Sequence, residues 1–258
     1  MTGPFDYSTK TVFVSGGTSG INLAIAKAFA AAGARVGVMS RNPERVAAAA
    51  ASLSAIGPQA RGYTADVRNF EAVTAAIDAF ALEVSRIDVL VSGAAGNFLA
   101  LARDLSPNGF KAVVDIDLLG TFQVMKAAYR HLAKPGASVI NISAPQAYIP
   151  FEMQVHACAA KAGVDQVTRV LAKEWGPEGV RVNSISPGPI AGTEGLDRLA
   201  QSSQADIAGH IPLRRCGTVD DIARAALFLA SDMASYVTGA VLPVDGGWGL
   251  SASGGQAG

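Results

Sequence analysis

Short runs of β-branched and aromatic residues alternate along this chain with longer stretches whose apolar residues recur every three or four positions. The first run, residues 11–15, leads into Gly-Gly-Thr-Ser-Gly and then into an alanine-rich amphipathic stretch to about residue 32. The same pattern predicts strands at 35–39, 60–64, 87–91, 138–142, 181–185 and 240–244, and helices at 43–53, 70–85, 110–132, 154–175 and 219–230. Repeated strand–helix units imply a parallel sheet covered on both faces, because each crossover must lay a helix back onto the sheet. Pro187, Gly188 and Pro189 halt the strand before them. Residues 192–210 are polar and aperiodic, and are expected to form an irregular segment that could serve as a lid over a ligand.

Composition sharpens this picture modestly. The chain has 258 residues, 50% hydrophobic and 16% charged, enough for one large α/β domain spanning 1–258 with its core at about 9–248. Lys plus Arg and Asp plus Glu balance at 21 each without a dense run of either sign, which argues against nucleic acid or a membrane surface as partner and for a small molecule or a protein. Two cysteines, Cys158 and Cys216, make neither a disulfide framework nor a zinc site, so no metal is expected. The first ten residues hold no apolar leader-like stretch, no segment has the ~18 uninterrupted apolar residues of a membrane span, and the last eight are not a Ser-Lys-Leu type of address. The expectation is a cytoplasmic protein.

A doubly wound sheet of this kind binds its ligand outside the carboxyl ends of its strands. There the turn Ser15-Gly16-Gly17-Thr18-Ser19-Gly20-Ile21 can set backbone N–H groups and the positive end of a helix against a pyrophosphate. The next strand ends at Ser40-Arg41, about where an acid would grip the ribose hydroxyls of NAD. Ser40 can instead donate to a 2′-phosphate and Arg41 can pair with it, so NADP(H) is the expected cofactor. Asp66 and Val67 after the third strand, and Ala94, Ala95 and Gly96 after the fourth, place small or polar residues where adenine and its ribose would lie.

These segments, with Asn183-Ser184-Ile185-Ser186-Pro187-Gly188-Pro189-Ile190 and Val244-Asp245-Gly246-Gly247, resemble the short-chain dehydrogenase/reductase family over roughly residues 9 to 248. The resemblance implies a single Rossmann-type domain, with Pro187, Gly188 and Ile190 also at the cofactor. Asn22 stands where the family's third glycine usually sits, and a side chain there is expected to push the first helix away from its strand. In the family a Ser, a Tyr and a Lys do the chemistry. Lys161 matches the Lys; four residues earlier stands Ala157, and thirteen before that Ala144. The usual proton donor and carbonyl-orienting hydroxyl are both missing, and Asp117 takes the place of a family Asn. A retained Lys can still hold the nicotinamide ribose, so hydride geometry survives while alcohol chemistry does not. The fitting substrate spreads negative charge into an existing carbonyl, as a conjugated enoyl thioester does.

A narrower resemblance agrees. Ala94-Ala95-Gly96-Asn97-Phe98-Leu99, Gln154-Val155-His156-Ala157, Ala160-Lys161-Ala162-Gly163-Val164 and Pro187 to Gly195 look like the 2,4-dienoyl-CoA reductases, the peroxisomal branch above all. The mitochondrial branch carries a Tyr fifteen residues before the Lys; here that position is Gln146. The resemblance implies NADPH-dependent reduction of a 2,4-dienoyl-CoA to a 3-enoyl-CoA, with Asp117 first and Asp245 second as groups that polarise a proton-donating water. It implies an acyl pocket shaped by Asn97, Phe98 and Gln154, with Asn97 donating to the thioester oxygen, and a homotetramer built on the two long helices. Two alternatives stay open: an atypical carbonyl reductase in which Tyr148 supplies the acid, and a non-catalytic nucleotide-binding scaffold. His156 is expected at the surface or at an interface, about 100° around the helix from Ala157.

Overall fold

The computed structural model describes residues 5–199 and 204–251. Seven strands form one parallel sheet: β1 (Thr11–Ser15), β2 (Arg35–Ser40), β3 (Arg61–Thr64), β4 (Val89–Ser92), β5 (Ser138–Ile142), β6 (Arg181–Pro187) and β7 (Val241–Val244), in the spatial order β3-β2-β1-β4-β5-β6-β7. The order reverses between β1 and β4, which pair through Val12 with Val89 to Ser15 with Ser92 and so open a crevice at their carboxyl ends.

Helices cover both faces, as the doubly wound reading requires. On one side α1 (Gly20–Ala31), α2 (Pro43–Ser54) and α9 (Val219–Ala230) bury Ile25, Phe29, Leu53, Ile222 and Leu229 against Val12 and Val14. On the other, α3 (Phe70–Val84), α5 (Gly120–Ala128) and α6 (Val155–Trp175) pack Ile77, Phe80, Val124 and Leu171 around Phe13 and Leu90. Successive β1 residues thus face opposite cores, and each fully buried large side chain contributes about 1.5–3 kcal/mol. Helix starts follow the local chemistry. Asn42 and Asn69 accept N–H bonds from the first turns of α2 and α3, and Thr218 and Asp221 form a reciprocal capping box at α9.

Three expectations change. The predicted helix at 110–132 starts earlier, as α4 (Pro107–Val114) behind the cap Ser106, and is interrupted by a wide π turn at Asp115–Leu119 before α5 begins. In that turn the Gly120 N–H reaches back five residues to the Asp115 carbonyl, and apolar periodicity cannot distinguish one such extra residue from a regular helix. Residues 192–210 are not irregular: α7 (Glu194–Leu199) and α8 (Gln204–Gly209) form there, while 200–203 lie outside the described residues. Ile87 makes an isolated bridge to Leu132, and β4 proper begins at Val89. A short α10 (Trp248–Ser251) follows β7. No described helix is long and apolar enough to cross a membrane.

Candidate active site

The carboxyl ends of β1, β2, β4, β5 and β6 border a cleft of 760 Å³. On its β1 side, Gly16 has φ +73° and lies so near the next loop that a Cβ would stand 2.8 Å from the Ala94 nitrogen. Ser19 caps α1 without using its side chain, leaving the helix N-terminus open toward the cleft that Thr18, Ser19, Gly20 and Ile21 line. This cradle fits a dinucleotide pyrophosphate in space and in charge.

Ser40 and Arg41 lie at the next edge together with Arg45, which sequence reasoning missed. Arg45 sits on α2, one turn beyond Arg41, and pairs at 3.3 Å with Glu194 from across the cleft. Asp66 and Val67 line the same end; the Arg68 guanidinium clasps the Asp66 carboxylate at 2.6 Å and holds its pKa below the usual range. Pro187, the last residue of β6, and Gly188 and Ile190 beyond it are also on the cleft wall.

At the centre, the π turn aims Asp117 inward. One carboxylate oxygen accepts the Gly96 N–H at 2.7 Å, tying down the loop after β4, and the other lies 3.3 Å from the Lys161 Nζ. Lys161 also donates to the Ile142 carbonyl at 3.0 Å. Both partners are buried, at 1% and 7% exposure, so neither charge has water to replace the other. Ala144 and Ala157 stand on the wall nearby, and neither can donate a proton. Gln154 accepts from Asn97 at 2.7 Å and from Gln146 at 3.0 Å, a polar hub between the β4 and β5 loops.

Other candidates lie elsewhere. Asp245 is absent from the cleft wall: its two oxygens accept the N–H groups of Gly247 and Gly249, both at 2.9 Å, as a turn and helix-cap residue does. Tyr148 is 48% exposed, off the cleft wall, with its hydroxyl 3.3 Å from Ser186 Oγ; burial of the phenol pushes its pKa up. Phe98 also misses the cleft wall and meets His156 edge to face, ring centres 4.6 Å apart. His156 is fully buried rather than at the surface, because the loop carrying Phe98 folds over the first turn of α6. Leu196, Ile207 and His210 line the cleft from the 192–210 segment expected beside a ligand, whereas Phe151 and Trp248 line it without having been anticipated. For these two, only an apolar residue beside a loop could have given a hint. Cys158 and Cys216 form no disulfide, and no cluster fit for a metal occurs among the described residues.

A parallel seven-stranded sheet with a glycine cradle at its switch point and a buried lysine on α6 defines a nucleotide-binding oxidoreductase. The family described as Enoyl-(Acyl carrier protein) reductase matches residues 16–249, and the chain belongs to the short-chain dehydrogenase/reductase family. Its cofactor is accordingly a nicotinamide dinucleotide. More particularly, it is 46% identical over 252 residues to the peroxisomal 2,4-dienoyl-CoA reductase [(3E)-enoyl-CoA-producing] of Danio rerio, covering 95% of this chain and 84% of the relative. It is 40% identical over 243 residues to a probable 2,4-dienoyl-CoA reductase [(2E)-enoyl-CoA-producing] of Bacillus subtilis, covering 92% and 96%. A putative short-chain alcohol dehydrogenase from Sinorhizobium meliloti superposes with a TM-score of 0.89 at 33% identity, covering 96% of this chain and 99% of that one.

Proposed function

We propose that this protein is an NADPH-dependent reductase of conjugated enoyl thioesters, converting a 2,4-dienoyl-CoA to a 3-enoyl-CoA. The observation that carries the reading is the buried Lys161–Asp117 pair on the same cleft wall as Ala157 and Ala144: a lysine paired with an acid, and no phenol, suits C=C chemistry and cannot protonate a carbonyl oxygen in the family's usual way. When bound, the nicotinamide supplies hydride to the δ carbon of the dienoyl thioester.

The chain's own residues do the rest. Thr18, Ser19, Gly20 and Ile21 hold the pyrophosphate, Ser40 and Arg41 take the 2′-phosphate with Arg45 beside them, and Asp66, Val67 and the loop Ala94-Ala95-Gly96 receive the adenosine. Lys161 holds the nicotinamide ribose hydroxyls. Asp117 orients a water that delivers the proton to the α carbon, and the lysine's charge stabilises the dienolate before that proton arrives. Asn97 has two N–H bonds and spends one on Gln154, leaving the other for the thioester oxygen. Asp117 rather than Asp245 is assigned the water, since Asp117 lines the cleft beside Lys161 and Asp245 does not.

Product identity follows from where the proton lands: the α carbon yields the 3-enoyl product, the γ carbon the 2-enoyl one. The (3E) outcome is named for the relative of higher identity. Purified protein with 2,4-hexadienoyl-CoA should consume NADPH, and NMR of the product should show the 3-enoyl thioester. No turnover of any dienoyl-CoA, with reduction of simple ketones instead, would overturn the assignment. The cytoplasm and a homotetramer belong to the same proposal. Leu119 just before α5 and Phe122 on it, with Val155 and Val170 on α6, leave apolar surface exposed along the two helices that would pair.

A further inference from the structure

Asn22 departs from the family pattern, and the structure gives the departure a purpose. It stands in the first turn of α1 and lines the cleft. Its Nδ2 donates at 2.7 Å to the carbonyl of Gly93, a residue 71 positions away at the end of β4. The side chain does not hang free between helix and strand: it lies across Gly93, where a Cβ would stand 2.2 Å from Asn22 Oδ1, 2.5 Å from Nδ2 and 2.6 Å from Cγ. Room for Asn22 is thus made by a glycine on the facing loop. The orientation of the amide is set as well, because turning it over would press two carbonyl oxygens together.

That orientation leaves Asn22 Oδ1 buried without a hydrogen-bond partner. A buried acceptor with nothing to accept costs roughly 1–3 kcal/mol, so its presence calls for a donor. Phosphate oxygens are acceptors and would be repelled. Beside its pyrophosphate a dinucleotide offers one kind of donor, the ribose hydroxyl.

We propose that Asn22 is a positioning residue of the cofactor site: its amide clamps the β1–α1 turn to the loop after β4, and its Oδ1 accepts a ribose hydroxyl of the nicotinamide dinucleotide. The clamp reaches the chemistry through the loop it holds. Three residues beyond Gly93, Gly96 donates to Asp117, and one further on Asn97 donates to Gln154. Asn22 therefore couples the placement of the cofactor to that of the acid and of the thioester pocket. The inference rests on the cofactor reading but not on the identity of the acyl substrate.

The test uses the full chain, NADPH binding followed by fluorescence, and melting without cofactor. Asn22→Ala is expected to weaken NADPH about 5- to 15-fold, the net worth of one or two hydrogen bonds. The wild type should discriminate against a dinucleotide lacking one ribose hydroxyl, and Asn22→Ala should discriminate less against it. Gly93→Ala collides with Asn22 and should lower the melting temperature; Asn22→Gly/Gly93→Ala should recover most of that loss while binding NADPH no better than Asn22→Gly. Should Gly93→Ala not fold alone, recovery of a folded double variant makes the same point. Unchanged melting of Gly93→Ala, or Asn22→Ala binding NADPH as tightly as wild type with undiminished discrimination, overturns the inference. Failure of the wild type to bind any nicotinamide dinucleotide would instead remove the cofactor reading itself.

Discussion

Asp117→Asn removes one charge from a buried pair while keeping nearly all of its shape, and so separates stability from chemistry at this site. The carboxylate and Lys161 are 3.3 Å apart at 1% and 7% exposure. Breaking such a pair from one side strands the other charge and costs about 3–5 kcal/mol. Asn keeps an acceptor for the Gly96 N–H, and Lys161 keeps the Ile142 carbonyl, so the lower figure applies. For a domain of this size, 1 kcal/mol moves the melting temperature by roughly 2–4 °C, giving a drop of about 6–12 °C. Asp117→Asn/Lys161→Met removes both charges, and its melting temperature should return most of the way to wild type, since neutral packing replaces a buried pair at little cost. Turnover should not return: loss of a positioned acid–base group costs ~10²- to 10⁴-fold, and the double variant has also lost the lysine proposed to hold the ribose. Calorimetry of the wild type, Asp117→Asn, Lys161→Met and the double variant, paired with NADPH consumption on dienoyl-CoA, makes the measurement. A double variant no more stable than its weaker parent, or Asp117→Asn keeping a third of wild-type turnover, would refute the reasoning.

Three further outcomes are expected. Arg41→Ala should weaken NADPH by roughly 10- to 100-fold, the worth of a charged hydrogen bond, while leaving NADH binding nearly unchanged in the same titration. Tyr148→Phe should leave dienoyl-CoA turnover within about twofold of wild type, because the phenol stands off the cleft; a collapse of activity would revive the carbonyl-reductase alternative. Asp165, 4% exposed beside Ser143 and Ser184 on the inner side of α6, has its pKa raised by burial. The native state therefore holds its proton more tightly than the unfolded chain, and stability falls as pH rises from the ordinary carboxylate range through the raised value. Asp165→Asn should flatten that decline and melt higher than wild type at pH 8; equal pH slopes for the two proteins would contradict the assignment.

The fold was legible because its signals are local. The alternation of apolar runs, the glycine turn after β1 and the Asn and Thr caps all lie within a few residues of what they shape. Lys161, Asp117 and the alanines at 144 and 157 were found by matching the chain to the motif of the family it resembles, and the structure brings all four to one cleft. Side-chain direction was less accessible. His156 was expected outward by helical angle, but the angle says nothing about the Phe98 loop that covers it. Asp245 and Asp117 looked alike as carboxylates near the site; hydrogen bonds to Gly247 and Gly249 turn one into a cap, and the π turn aims the other at Lys161.

By itself the amino-acid sequence determined the order of elements and the glycine turn after β1, since each depends on residue type and on spacing of a few positions; the missing acid became legible once the family's motif was laid over it. Tertiary structure alone decided that Arg45 meets Glu194 over the cleft and that Asn22 rests on Gly93, pairs separated by 149 and 71 positions. No periodicity links residues so far apart. They meet because the sheet order sets β4 beside β1 and carries the chain after β6 back across the cofactor edge, and packing of the whole chain is what selects them.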